Sequence, residues 1–103
     1  MQRRTFERIP VSITARCYCD NNDYSGTVTN LSEKGMYISV DNMCFPFNCQ
    51  FQVSFTMGSE VLNVPVNVRR IVKTSDQYDG IGVEVIEPPQ LYREFVGRLR
   101  NTL

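Results

Sequence analysis

Six stretches of the chain alternate apolar and polar residues with a period of two, and a chain patterned this way can bury its apolar face only as β-strands. From Ile9 to Cys19, the apolar Val11, Ile13, Ala15, Cys17 and Cys19 alternate with Ser12, Thr14, Arg16 and Tyr18, the mark of a strand with one wet face. Asp20-Asn21-Asn22-Asp23 is a polar turn, and Tyr24 to Leu31, rich in Thr and Val, is the return strand of a hairpin. After Ser32-Glu33-Lys34-Gly35, Met36, Ile38 and Val40 form a third strand, followed by a loop from Asp41 to Asn48 that contains Pro46. Phe51, Val53, Phe55 and Met57 alternate again, and Gly58-Ser59 turns the chain into Leu62, Val64, Val66 and Val68, continuing through Arg69 and Arg70 to Val72. Pro65 inside that run predicts a bulge there. Asp79-Gly80 then precedes Ile81, Val83 and Val85.

Beyond Pro88-Pro89, which suits a helix start, the period changes. Leu91, Tyr92, Phe95, Val96 and Leu99 form one apolar stripe of an amphipathic helix from about Pro89 to Arg100, weakened by Gly97. Six short strands with turn signals between them favour closure over an open sheet, because closure removes exposed edges. The expectation is an all-β barrel of six strands with one C-terminal helix. Val11, Ile13, Ile38, Val53, Phe55, Val64, Val66, Ile81 and Val83 are its predicted core.

A length of 103 residues suits one domain, divided as an arm (1–8), a barrel (9–87) and a helix (88–103). Eleven Lys+Arg balance eleven Asp+Glu, so no global field draws the chain to a polyanion. The absence of histidine removes the commonest general base and zinc ligand, which argues against an ordinary hydrolase; the chain is read as a non-enzyme. No apolar run approaches the roughly 20 residues that span a bilayer, and Met-Gln-Arg-Arg does not lead into a signal core, so the reading is a soluble cytoplasmic protein. Cys17, Cys19, Cys44 and Cys49 lack the paired C-x2-C spacing of structural zinc sites and are read as reduced, structural thiols, with no metal and no cofactor expected.

Charge is distributed unevenly. Residues 1–16 hold Arg3, Arg4, Arg8 and Arg16 against Glu7, a basic arm of net charge +3. Nine of the eleven cations are Arg, whose planar fork matches phosphate and the guanine O6/N7 edge. Arg4 and Arg8 form an R-x-x-x-R, weak evidence alone because ~0.8 such spacings are expected by chance in a chain this rich in Arg. Asn30-Leu31-Ser32-Glu33-Lys34-Gly35 is a (D/N)-x-S-x-x-G at a strand–turn–strand junction, with only ~0.05 expected by chance. Taken alone, this second motif reads equally well as turn chemistry, with Asn and Ser bonding the backbone and Gly supplying a positive φ.

The two motifs in this order, Ile9-Pro10 directly after the arm, Gly80-Ile81-Gly82-Val83-Glu84 near the last strand and the closing helix together resemble the PilZ domain family of bacterial cyclic di-GMP receptors. The resemblance covers nearly the whole chain. It implies a six-stranded antiparallel β-barrel with that helix, binding the second messenger on its outside. It places the phosphate- and guanine-holding arginines on Arg4 and Arg8, and the second motif on Asn30, Ser32 and Gly35. An arginine can fork onto either guanine or phosphate, Asn30 can accept from guanine N1–H and N2–H, and Gly35 lets backbone and ligand approach. Asn stands where many relatives have Asp; with one acceptor oxygen and no charge it is expected to keep binding but weaken it. An extra arginine ahead of the motif, here Arg3, goes in the family with binding of an intercalated cyclic di-GMP pair.

Adjacent Arg69 and Arg70 are expected to point to opposite faces of their strand, so that at most one joins the ligand surface. Phe6 either stacks on a guanine or pins the arm. The favoured reading is a receptor whose ligand-ordered arm presents a changed surface to a downstream protein, without membrane insertion or a nucleic-acid polymer as partner. Two other readings stay open: a PilZ-like scaffold that only docks proteins, and a barrel binding single-stranded nucleic acid, against which the neutral charge argues.

Overall fold

The computed structural model describes residues 8–19, 22–40, 49–57, 59–74 and 77–101. Along them run β1 (Ile9–Cys19), β2 (Asn22–Leu31), β3 (Gly35–Val40), β4 (Gln50–Met57), β5 (Glu60–Thr74), β6 (Gln77–Val85) and α1 (Gln90–Asn101). Every ladder is antiparallel, and the strands close into a barrel in the order β1-β2-β3-β6-β5-β4. The all-β, six-stranded antiparallel barrel with one C-terminal helix is therefore the fold. The loop predicted over Asp41–Asn48, with Cys44, lies outside the described residues.

The inward residues of the strands meet in one core, to which α1 adds Tyr92, Phe95 and Val96. Ile38, Val53, Phe55, Val64, Val66, Ile81 and Val83 are buried as predicted. Val11 and Ile13 are only half-buried, packed against the core rather than within it. Val11 lies in the register shift against β2, and for Ile13 the reason is the seam: β1 pairs with β4 over Arg16–Tyr18 against Gln52–Ser54. Beside that short ladder a groove lined by Ser12, Ile13, Thr14, Phe55 and Thr56 leaves this stretch of β1 partly uncovered.

The bulge expected at Pro65 is corrected. Pro65 makes no bulge; it pairs in unbroken register with Gln52. Its carbonyl accepts from Ile86 N–H at 2.9 Å, on the β6 side. In an antiparallel strand a residue's N–H position and C=O face the same neighbour, so the missing donor falls just past the β6 pairing, which begins at Val66–Val85, and the β4 ladder loses nothing. Asp79-Gly80 lies inside β6, with Asp79 the extra residue between the Val72–Gly80 and Lys73–Tyr78 pairs. Gly80 is there for contact: a Cβ would stand 2.5 Å from the Tyr37 hydroxyl and 2.6 Å from the Ile38 carbonyl oxygen.

Helix α1 opens with the Pro89 carbonyl accepting from Arg93 N–H at 3.0 Å. Its buried stripe is Tyr92, Phe95 and Val96, with Leu99 packed at the edge. Leu91, expected in the stripe, is exposed, because the i, i+3, i+4, i+7 set from Tyr92 already fills the face. Phe95 packs on Phe55 with ring centroids 5.6 Å apart. The Tyr92 hydroxyl donates to the Ser32 carbonyl at 2.6 Å. Burial pushes the phenol well above its ordinary pKa, against the opposing pull of the Arg8 guanidinium, so it remains a donor. Tyr92→Phe, which removes the hydroxyl and keeps the ring, is expected to lower stability by about 1–2 kcal/mol in urea denaturation.

Cys17 is fully buried, and burial, helped by Asp23 and Cys19, pushes its thiol up to about 12. Cys19 and Cys49 are half-buried thiols with their sulfurs 3.3 Å apart.

Candidate functional site

The start of β1, the β2–β3 turn and the middle of β5 and β6 come together on one side of the barrel. Two bulges set the first of these meetings. Val11 and Ser12 of β1 oppose Thr29 alone, and Thr29 is itself the extra residue between the Val28–Ile38 and Asn30–Tyr37 pairs. Val28 and Leu31, three apart, are thus both buried, while Asn30 between them is half-exposed beside the incoming Arg8. Arg8 Nη1 donates to Asn30 Oδ1 at 2.7 Å. Asn30 therefore holds the arginine; one lone pair of its oxygen is already engaged, leaving the other for a ligand.

Ser32 is buried, and its groups stitch the turn together. Its N–H donates to the Gly35 carbonyl at 2.8 Å, and its hydroxyl accepts from Lys34 N–H at 3.2 Å. Lys34 in turn accepts at its carbonyl from Val85 N–H at 2.8 Å, which fastens the turn to β6. Gly35 does not occupy the left-handed region that the turn reading allowed for. Its requirement is contact: a Cβ would stand 2.6 Å from the Val83 carbonyl oxygen and 3.3 Å from Arg8 Nη2. The space that a side chain would take is used by a neighbouring strand and by the guanidinium.

The expectation that Arg69 and Arg70 point to opposite faces is overturned. Val68 pairs with Val83 and Arg70 with Gly82, so Arg69 is the extra residue of a bulge and the alternation breaks there. Both arginines are exposed and both line a cleft of about 380 Å³ together with Arg8, Ser32, Lys34, Gly35, Tyr37, Gly82 and Glu84. The signal was in the apolar phase: Leu62, Val64, Val66 and Val68 step by two, but the next core-packed residue is Ile71, three further on. Arg69 Nε bonds Glu84 Oε1 at 3.1 Å, which fixes one guanidinium on the cleft rim.

Of the six residues singled out from sequence, Arg8, Asn30, Ser32 and Gly35 are brought together. Arg3 and Arg4 lie outside the described residues, as does Phe6. The cleft concentrates Arg8, Lys34, Arg69 and Arg70 around Glu84, on a protein of zero formal charge. Three guanidinium forks and an ammonium beside the Tyr37 ring suit a planar, anionic ligand. Among the described residues no cluster of three or more His, Cys, Asp or Glu could hold a metal ion.

Comparison with known proteins gives the same architecture. The PilZ domain of YcgR from Escherichia coli, solved with c-di-GMP, superposes with a TM-score of 0.78 at 16% identity, over 99% of this chain and 92% of that one. The K. pneumonia MrkH–c-di-GMP complex gives 0.77 at 11% identity, over 98% of this chain and 52% of that one. The Bacillus subtilis inhibitor of motility MotI/DgrA gives 0.74 at 17%, over 99% and 53%. The chain thus spans about half the length of MotI and of MrkH. No curated protein matches the sequence. Residues 2–99 match the PilZ domain, and with that match covering almost every residue from the arm to the helix, the chain belongs to the PilZ domain family.

Proposed function

We propose that this protein is a cyclic di-GMP receptor and adaptor rather than an enzyme. The observation that carries the reading is the Arg8 guanidinium, held by Asn30 at 2.7 Å over Gly35, in a cleft that also gathers Arg69 and Arg70. Two of the similar structures, the PilZ domain of YcgR and MrkH, are complexes with c-di-GMP, which supports the same ligand class here. Arg4 and Arg8 take phosphates and guanine edges, Asn30 keeps Arg8 in place and offers its remaining lone pair, and Arg69 and Arg70 neutralise the second phosphodiester. Ligand binding orders residues 1–8 across the barrel, and the changed surface is read by a partner protein.

The test is calorimetric titration of the chain with cyclic di-GMP and, separately, with a generic single-stranded oligonucleotide. Saturable binding of the first alone is expected; binding of the oligonucleotide alone, or of neither, overturns the reading. Arg3 beside Arg4 on an extended arm presents forks to two sides, so an intercalated ligand pair is expected, with two molecules bound per chain. Arg3→Leu should bring the stoichiometry towards one without abolishing binding. One ligand per chain at saturation in the unmodified protein would remove the paired-ligand idea and leave the site standing.

A further inference from the structure

We propose that Cys19 and Cys49 form a thiol–disulfide exchange site at the barrel seam, taking a small-molecule disulfide of the glutathione type as its oxidant. Cys19 closes β1 and Cys49 immediately precedes β4, and their sulfurs stand 3.3 Å apart. Cys19 shares its inward parity with buried Cys17, and Cys49 with buried Phe51 and Val53, so both thiols point to the same barrel rim. Both lie outside the Arg16–Tyr18 to Gln52–Ser54 ladder, on the side of Tyr18 and Gln52, and going from 3.3 Å to the about 2.05 Å of a disulfide takes an approach of the sulfurs of about 1 Å.

The sequence reading treats all four cysteines alike as structural thiols; the geometry separates them. Cys17 is fully buried and its thiol, pushed up to about 12, supplies almost no thiolate at neutral pH. Cys19 and Cys49 are half-buried and in mutual contact. In the first step the thiolate of one attacks a sulfur of oxidised glutathione, forming a mixed disulfide and releasing one glutathione thiolate. The thiolate of the other then attacks the protein sulfur of that mixed disulfide, forming the Cys19–Cys49 bond and releasing the second. The two protein thiols are oxidised, one disulfide is reduced to two glutathione thiols, and the two cysteine protons end on those thiols.

The bond would cross-link residues 30 apart in sequence and clip β1 to β4 where only three residue pairs join them. It would also fix the Cys49 backbone, whose carbonyl accepts from Val68 N–H at 2.9 Å, the residue directly before the doubled arginine. Nothing in the proposal depends on the nucleotide reading.

The experiment incubates the folded chain in glutathione buffers of increasing oxidised fraction, followed by rapid alkylation, intact mass and peptide mapping. Expected are the loss of two hydrogens, a Cys19–Cys49 linked peptide, a thermal midpoint raised by roughly 5–15 °C and reversal by dithiothreitol. Cys49→Ser should abolish the midpoint shift and leave a stable glutathione adduct on Cys19; Cys19→Ser should give the mirror result. The unmodified chain alone decides the matter if either variant folds poorly. No linked peptide under oxidising buffer, or linkage of either residue to Cys44, overturns the proposal.

Discussion

Arg8→Ala is expected to raise the dissociation constant for cyclic di-GMP by roughly 10- to 150-fold, equivalent to about 1.5–3 kcal/mol, while the thermal midpoint barely moves. The asymmetry follows from where the residue sits. Arg8 is exposed and precedes β1, and its bond to Asn30 is at the surface. Its removal leaves the anionic ligand without its held fork and leaves Asn30 an acceptor that water can satisfy. Calorimetry for affinity and a thermal melt for stability read the two effects separately; unchanged affinity would take Arg8 out of the site.

Gly35→Ala is expected to reverse that pattern, lowering stability by about 2–3 kcal/mol and the thermal midpoint by roughly 10–20 °C. The added methyl meets backbone, not a flexible side-chain end, since it would fall 2.6 Å from the Val83 carbonyl oxygen. To make room, β3 must part from β6 beside the Lys34–Val85 and Ser32–Gly35 hydrogen bonds. Gly97→Ala provides the contrast. A Cβ there meets nothing within 4 Å, so helix propensity decides and the change should stabilise by up to about 1 kcal/mol. A Gly35→Ala protein as stable as the parent would mean that the strands part without cost.

Arg8 and Gly35 were both singled out by motif in the sequence, and the structure separates their roles. Period-two alternation made the strands legible, because it is a local property and the core demanded it at nearly every ladder. Bulges were less legible, since they depend on two strands at once. Thus Arg69 and Arg70 were expected on opposite faces, although the phase shift that puts both on one cleft shows in the interval from Val68 to Ile71. Ile13 was misjudged because its coverage depends on how far β4 runs alongside, which no local pattern records. In the candidate site, Arg8, Asn30, Ser32 and Gly35 could be picked out by motif spacing, whereas the inclusion of both Arg69 and Arg70 required the register.

The order of strands around the barrel divides it into two meanders, β1-β2-β3 and β4-β5-β6, each made of sequence neighbours. Only the β3–β6 and β1–β4 ladders join them, and these are the contacts of long sequence separation that a folding chain acquires slowly. The candidate cleft takes Arg8, Ser32 and Gly35 from the first meander and Arg69, Arg70 and Glu84 from the second. A half-assembled chain therefore has no cleft at all. On the proposed reading, a nucleotide held by both sets of arginines would bind the joined barrel and neither separate half, so it would act on the folding equilibrium as a clasp between halves, adding stability that grows with its concentration.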